Sequence, residues 1–134
     1  MFAIKKLIII ALSMFATLAC ASETPQISQQ ELLSALKSAN HNIVVLDVRS
    51  AEEYEDGHVS GAINTSHDTV ADNLNKLSQY KDNTVVVYCR SGRRAAFAEN
   101  ILAENGFKNL RHLTGDMNGW LKADLPVVVG KNVH

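Results

Sequence analysis

The chain reads TVVVYCRSGRR from Thr84 to Arg94. The first half of this stretch, Thr84–Tyr88, is an unbroken run of β-branched and aromatic residues. Such a run is typical of a strand that is buried on both faces of a parallel sheet. The following segment, Ala95–Asn105, is rich in strong helix formers and places Phe97 and Leu102 on one apolar face. A buried strand that passes directly into a helix favours an α/β fold.

The segments on either side continue this alternation of strands and helices. The apolar runs Ile43–Leu46 and Leu110–Leu113 predict two further strands. Capping boxes that begin at Ser28 and Ser50 predict two helices, and apolar spacing predicts another over 70–77. The sequence therefore predicts a single α/β domain with a mainly parallel central sheet and helices on both faces.

Composition narrows the class of protein. The chain has 134 residues, of which 46% are apolar and 20% charged, and a formal net charge of −1. It is too apolar for a disordered chain and too neutral for a protein that coats nucleic acid, so no nucleic-acid partner is expected. Its 2 cysteines are too few for a disulfide-dense scaffold and lack the spacing of a structural zinc site.

The N-terminus has the pattern of a secretory signal peptide. Two lysines, Lys5 and Lys6, precede an apolar run of 12 residues, 7–18, and a small-x-small site that would be cut before Ser22. The run is shorter than the roughly 20 residues needed to cross a bilayer, so no stable membrane span is expected. We predict a signal peptide over 1–21 and a periplasmic domain over 22–134, with lipid attachment at Cys20 as the alternative.

The exported domain would then contain one thiol, at Cys89, which is either buried and inert or exposed and reactive. Its sulfur is expected above a helix N-terminus, where unpaired N–H groups and the helix dipole favour a thiolate. Arg90, Arg93 and Arg94 add positive charge. Gly92 allows several N–H groups to face one point. We therefore expect Cys89 to ionise more readily than a free cysteine and to act as a nucleophile.

Four motifs occur in order along the chain. They are Asp47-Val48-Arg49 with Glu53-Tyr54; Gly57-His58-Val59-Ser60-Gly61-Ala62-Ile63-Asn64; Cys89-Arg90-Ser91-Gly92-Arg93-Arg94; and Leu113-Thr114-Gly115 with Trp120. Together they resemble the rhodanese family of sulfurtransferases, from about Ser28 to Val128. An exported chain of this size is most similar to the single-domain periplasmic thiosulfate sulfurtransferases of the phage-shock type. Two positions depart from the family pattern. Asp116 replaces the usual second glycine, which would reshape the rim of the substrate mouth, and Ala95 replaces a frequent serine.

The resemblance implies a two-step transfer of sulfur through a persulfide on Cys89. The thiolate attacks the outer sulfur of thiosulfate, sulfite leaves, and cyanide or a thiol takes the sulfur from the persulfide. This chemistry needs no metal and no organic cofactor, and we expect a monomer. The implied substrate-binding loop consists of Arg90, Ser91, Gly92, Arg93 and Arg94.

Other polar residues are expected to support this loop. Asp47, Arg49 and Glu53 are interpreted as an ion-pair frame that positions neighbouring loops. His58 is expected to bond backbone groups of its own loop and not to act as a base. Arg94 is expected to tie the loop down, while Arg90 and Arg93 face the mouth. The remaining histidines lack metal-ligand spacing and are expected on the surface or in loops; they are His41, His67, His112 and His134. Core or rim packing is expected for Tyr54 and Trp120.

Three alternative functions use the same residues. Related phosphatases and arsenate reductases hold an oxyanion in a loop of Cys, five residues and Arg, but that Arg position is Ala95 here. A disulfide oxidoreductase would need a second cysteine at the position of Gly92. A persulfide carrier that docks on a partner protein would keep Cys89, so the sequence leaves carrier and free-standing enzyme open.

Overall fold

The computed structural model describes residues 23–131. The predicted signal peptide over 1–21 and the alternative lipid site at Cys20 lie outside these residues. Within them, no helix is long and apolar enough to cross a membrane.

Five strands and five α-helices alternate along the described part of the chain. The strands are β1 (Gln26–Ile27), β2 (Ile43–Asp47), β3 (Ile63–Asn64), β4 (Thr84–Tyr88) and β5 (Leu110–Leu113). The helices are α1 (Gln29–Lys37), α2 (Ala51–Asp56), α3 (Leu74–Leu77), α4 (Arg93–Glu104) and α5 (Asp116–Lys122). The strands form one sheet in the order β1-β5-β4-β2-β3, and every neighbouring pair is parallel. The predicted α/β fold with a parallel central sheet is confirmed.

Apolar side chains pack on both faces of the sheet. Along β4, Val85 and Val87 belong to one buried cluster, whereas Val86 and Tyr88 belong to another. Because side chains of a strand alternate between faces, the two clusters lie on opposite sides of the sheet. The first cluster includes residues of α4, and the second includes residues of α1, α2 and α5. Helices therefore cover both faces, as predicted.

The sheet brings two polar chain segments to one edge. Strands β2 and β4 are neighbours, and their last residues, Asp47 and Tyr88, are in register. The segments that follow, Val48–Arg49 and Cys89–Gly92, therefore leave the same edge of the sheet. This is the edge at which α/β sheets bind ligands.

Three local features differ from the sequence predictions. The helix expected over 70–77 is a series of 3-10 turns around the single turn of α3. Polar side chains compete here for backbone groups, since Asn73 donates to the Thr69 carbonyl over 2.9 Å. Helix α4 begins at Arg93 and not at Ala95, so two arginines occupy its first turn. The ring of Phe97 is 53% exposed and contacts His67 edge-on, instead of packing beside Leu102.

Candidate functional site

The loop from Cys89 to Gly92 connects the end of β4 to α4. Gly92 has a φ of 116°, which side chains strongly disfavour, and this conformation turns the chain into the helix. The backbone N–H of Gly92 donates to the Sγ of Cys89 over 3.0 Å. An N–H group aimed at sulfur stabilises a thiolate or a persulfide anion. The loop thus holds the sulfur inside its own curve.

The sulfur is more buried than the sequence indicates. Cys89 is 1% exposed and belongs to the cluster that α4 covers, whereas a reactive thiol was expected to be exposed. The neighbouring Arg90 and Ser91 are exposed. The buried sulfur therefore lies in a loop whose outer residues face solvent.

Arg94 ties the start of α4 to α2. Its guanidinium donates to both carboxylate oxygens of Glu53, over 2.7 and 3.0 Å. This bidentate hydrogen bond from Arg94 lowers the pKa of Glu53 to about 2. Glu53 also completes the capping box of α2 by accepting from the backbone N–H of Ser50. Arg94 thus makes the structural contact that was expected of it.

The other two arginines do not converge on one mouth. Arg93 lines a cavity of about 420 Å³ beside α4, whose other lining residues are His67, Asp68, Arg94 and Phe97. Arg90 lines a separate cleft of about 150 Å³ together with Arg49 and Asn118. The loop therefore presents positive charge toward two sides, and only the cavity at Arg93 also offers an exposed aromatic ring.

Asp47 and Arg49 form a buried ion pair of their own. The Arg49 guanidinium donates to the Asp47 carboxylate over 2.6 Å and to the Gly57 carbonyl over 2.7 Å. The Tyr88 hydroxyl donates to the same carboxylate over 2.7 Å, and burial strongly raises the pKa of that phenol. The expected ion-pair frame therefore consists of two separate pairs, because Glu53 contacts Arg94 and not Arg49.

The His58 ring bonds a backbone group, and that group belongs to the preceding helix α2 and not to the loop of His58. Its Nδ1 lies 2.8 Å from the carbonyl oxygen of Tyr54, to which it donates, and its ring stacks on the Tyr54 ring with centroids 3.7 Å apart. Tyr54 and Trp120 are both buried, which confirms their expected packing role. These contacts attach the His58 ring to α2.

The sequence does not predict a triad of charged residues in which Glu99 and Asp116 are buried and His112 is half-buried. His112 lies in β5, and its Nε2 is 2.9 Å from the carboxylate of Asp116, while its Nδ1 is 2.8 Å from that of Glu99. The expectation that His112 is a surface or loop residue is wrong, because the two carboxylates enclose its ring. Helical spacing could have indicated Glu99, which lies on the buried face of α4 one turn after Ala95.

The triad adjoins the reactive loop. The Oδ1 of Asp116 accepts the backbone N–H of Cys89 over 3.0 Å. Hydrogen bonds to Asp116 first, and then to Glu99, raise the pKa of His112 to about 10. His112 is therefore a cation at neutral pH. Asp116 lines a cavity of about 510 Å³ together with Gly92, and its expected effect on the rim of the substrate mouth stays a prediction.

Comparison with known proteins identifies relatives that handle sulfur. A family model described as a rhodanese-like domain matches residues 28–123. Thiosulfate sulfurtransferase PspE of Escherichia coli (strain K12) is 37% identical over 70 residues, which cover 52% of this chain and 67% of that protein. YrkF of Bacillus subtilis (strain 168), provisionally named a sulfur carrier protein, is 30% identical over 100 residues, which cover 75% of this chain. This chain spans 52% of the length of YrkF.

Solved structures share the fold. The rhodanese-like domain of the Alr3790 protein from Anabaena sp, determined by solution NMR, superposes with a TM-score of 0.69 at 28% sequence identity. The superposition covers 78% of this chain and 79% of that domain. The sheet order and the position of the loop after β4 are therefore those of a known architecture.

Proposed function

This chain belongs to the family of rhodanese-like domains, and we propose that it is a thiosulfate sulfurtransferase that carries sulfur as a persulfide on Cys89. One observation supports this most: the Gly92 N–H points at the Cys89 sulfur over 3.0 Å, at the ligand-binding edge of the sheet. The similarity to PspE supports the same reaction. The family and the fold establish a rhodanese-like domain, and the substrate is part of the proposal.

The first step forms one sulfur–sulfur bond and breaks another. The Cys89 thiolate attacks the outer sulfur of thiosulfate, and sulfite leaves with the electron pair of the broken bond. The products are a Cys89 persulfide anion and sulfite, so charge and atoms balance without an added oxidant or reductant. The N–H of Gly92 and the positive charges of Arg90 and Arg93 favour the arrival of the thiosulfate dianion.

The second step returns the enzyme to its thiolate form. Cyanide attacks the outer sulfur of the persulfide, thiocyanate leaves, and the electron pair of the broken bond stays on the Cys89 sulfur. A thiol acceptor would take the same sulfur atom and yield a new persulfide. The cavity beside Arg93 and Phe97, of about 420 Å³, has room for an acceptor larger than cyanide.

Thiocyanate production tests this proposal. The wild-type chain should form thiocyanate from thiosulfate and cyanide, and the Cys89→Ser variant should form none above the uncatalysed rate. The chain contains one other cysteine, Cys20. The Cys20→Ser variant of the full-length chain, which still contains that position, is therefore the matched control and should keep full activity. Equal activity of the Cys89→Ser variant and the wild type would contradict the proposal.

A second candidate function is a persulfide carrier that docks on a partner protein. The similarity to YrkF favours it, and carrier and enzyme share the persulfide on Cys89. Turnover separates them. A free-standing enzyme passes sulfur from thiosulfate to cyanide over many cycles, whereas a carrier forms the persulfide once and releases it slowly to small acceptors.

We also propose that the domain works outside the cytoplasm. The support is the N-terminal pattern, in which Lys5 and Lys6 precede an apolar run and a small-x-small site. Mass analysis of the mature N-terminus tests this proposal. Cleavage before Ser22 is the expected result, a lipid-modified Cys20 would support the alternative, and an intact N-terminus in the cytoplasm would contradict export.

A further inference from the structure

The first turn of α5 is bonded to the reactive loop at three points. Asp116 accepts the N–H of Cys89 over 3.0 Å, and the N–H of Met117 donates to the carbonyl of Cys89 over 3.0 Å. The N–H of Asn118 donates to the carbonyl of Arg90 over 3.1 Å. The bonds from Met117 and Asn118 use backbone groups alone. The bond to Asp116 depends on a side chain, and it holds Cys89, the residue that carries the sulfur.

The carboxylate of Asp116 is itself held in place. Its second oxygen, Oδ2, lies 2.9 Å from Nε2 of His112, whose other ring nitrogen contacts Glu99. Asp116 and Glu99 are buried, and the His112 side chain is 14% exposed. Residues of β5 and α4 thus brace a carboxylate that α5 carries. Since both ring nitrogens of His112 are engaged by carboxylates, the ring has no lone pair free for a metal ion.

The triad contacts both ends of the loop. A Cβ atom placed on Gly92 would lie 3.2 Å from Oδ2 of Asp116 and 3.7 Å from Nε2 of His112. Gly92 supplies the N–H that points at the sulfur, and Cys89 supplies the sulfur. The Asp116 carboxylate therefore lies beside the backbone of both Cys89 and Gly92. The relative position of these two residues sets the 3.0 Å contact between the Gly92 N–H and the Cys89 sulfur.

Asp116 also adopts a backbone conformation that a glycine would adopt more easily. Its φ is 52°, in the left-handed region. Asp124 has nearly the same φ, 54°, but is exposed near the end of the described chain. The two aspartates have nearly the same φ, and of the two only Asp116 is hydrogen-bonded to the reactive loop.

We propose that Asp116 is a positioning residue of the reactive loop. Its carboxylate holds the backbone of Cys89, and His112 and Glu99 brace that carboxylate in place. This inference rests on the proposed function for its meaning in the reaction. Its geometric content, that the carboxylate restrains the Cys89 N–H, is measurable without any sulfur transfer.

Two substitutions of Asp116 separate the hydrogen bond that its carboxylate accepts from the effect of its positive φ. D116G removes the acceptor and relaxes the backbone, since glycine accepts a positive φ without strain. D116N keeps an oxygen that accepts the Cys89 N–H, and its amide group can donate to a neutral His112. D124G is the matched control, because it makes the same exchange at the same φ away from the loop.

Amide hydrogen exchange at Cys89 and the rate of persulfide formation from thiosulfate, both at pH 8, form the test. In D116G the Cys89 amide should exchange at least about tenfold faster, because a buried hydrogen bond is lost. Persulfide formation should slow by roughly tenfold, because the reacting group is less well positioned. In D116N the exchange rate of the Cys89 amide and the rate of persulfide formation should both stay within about threefold of the wild type. In D124G neither rate should change.

Several results would overturn the inference. One is unchanged exchange of the Cys89 amide in D116G, and another is faster exchange with a wild-type rate of persulfide formation. An asparagine variant as impaired as the glycine variant would also overturn it, because the acceptor is then present without effect. Failure of the wild type to form any persulfide would overturn the proposed function instead, and amide exchange would still decide whether Asp116 restrains the loop.

Discussion

The backbone N–H of Gly92 lies 3.0 Å from the Sγ of Cys89 and points at it. This contact requires the left-handed conformation of Gly92, with a φ of 116°, and room for its α-hydrogen beside Asp116. The backbone conformation of the Cys89–Gly92 loop therefore places an N–H donor on the sulfur that is proposed to carry the persulfide.

Replacement of Gly92 by alanine should damage both stability and sulfur transfer. The methyl group meets a strained φ and would lie 3.2 Å from the Asp116 carboxylate. We expect a loss of about 1–3 kcal/mol in the free energy of unfolding and at least a roughly tenfold slower formation of persulfide. Gly130 is the matched control, since its φ is 123° and a Cβ there would contact nothing within 4 Å. Gly130→Ala should be destabilised yet transfer sulfur at the wild-type rate; equal slowing in both variants would argue against a specific role for Gly92.

The pair of Glu53 and Arg94 should make stability depend on acidic pH. Folding lowers the pKa of Glu53 from 4.5 to about 2. The contribution of the pair is therefore complete above pH 4.5 and is lost as the pH falls through about 2. The difference in unfolding free energy between wild type and Glu53→Gln should shrink over this window, as measured by urea denaturation. Glu52→Gln, an exposed change on the same helix, should show no such trend.

His112 should make stability depend on alkaline pH. Folding raises its pKa from 6.5 to about 10, because Asp116 and Glu99 bond the charged ring. Its contribution is therefore complete below pH 6.5 and is lost as the pH rises through about 10. The advantage of the wild type over His112→Asn should decrease by at least about 1 kcal/mol across this window. His41→Asn, at an exposed position, serves as the control, and a pH-independent difference for His112→Asn would contradict the triad.

Phe97 should matter little to stability. Its ring is 53% exposed, whereas Leu102 on the same helix is fully buried. Phe97→Ala should therefore change the free energy of unfolding by no more than about 0.5 kcal/mol, and Leu102→Ala should cost about 2–5 kcal/mol. A cost of several kcal/mol for Phe97→Ala would restore the pattern-based assignment of this ring to the core. If the ring instead contacts the acceptor, the variant should raise the KM for a bulky thiol and leave that for cyanide unchanged.

Sequence patterns predict the elements of this fold that are determined by residues close together in the chain. Strand β4 has the predicted bounds, Thr84–Tyr88, because a continuous β-branched run suits a strand with both faces buried. The capping box at Ser50 forms as predicted. The reactive loop could be located because the ligand edge of a parallel sheet follows from strand direction alone.

Contacts between distant elements could not be predicted in the same way. The triad joins Glu99, His112 and Asp116 from α4, β5 and α5, and no periodicity within one element indicates such a meeting. Phe97 contacts His67 edge-on, and the 3-10 turn that carries His67 packs against α4, a meeting of elements that no pattern in α4 indicates. The burial of Cys89 likewise results from the closure of its own loop, which pattern arguments leave undetermined.

If Cys89 carries sulfur as a covalent persulfide, the intact mass of the protein after treatment with thiosulfate reveals it. The wild type and Cys20→Ser, both as full-length chains, should gain one sulfur atom, about 32 Da, which cyanide then removes. The Cys89→Ser variant should gain nothing. Hydrolysis of an aryl phosphate without any gain in mass would contradict the account and favour an oxyanion-binding phosphatase.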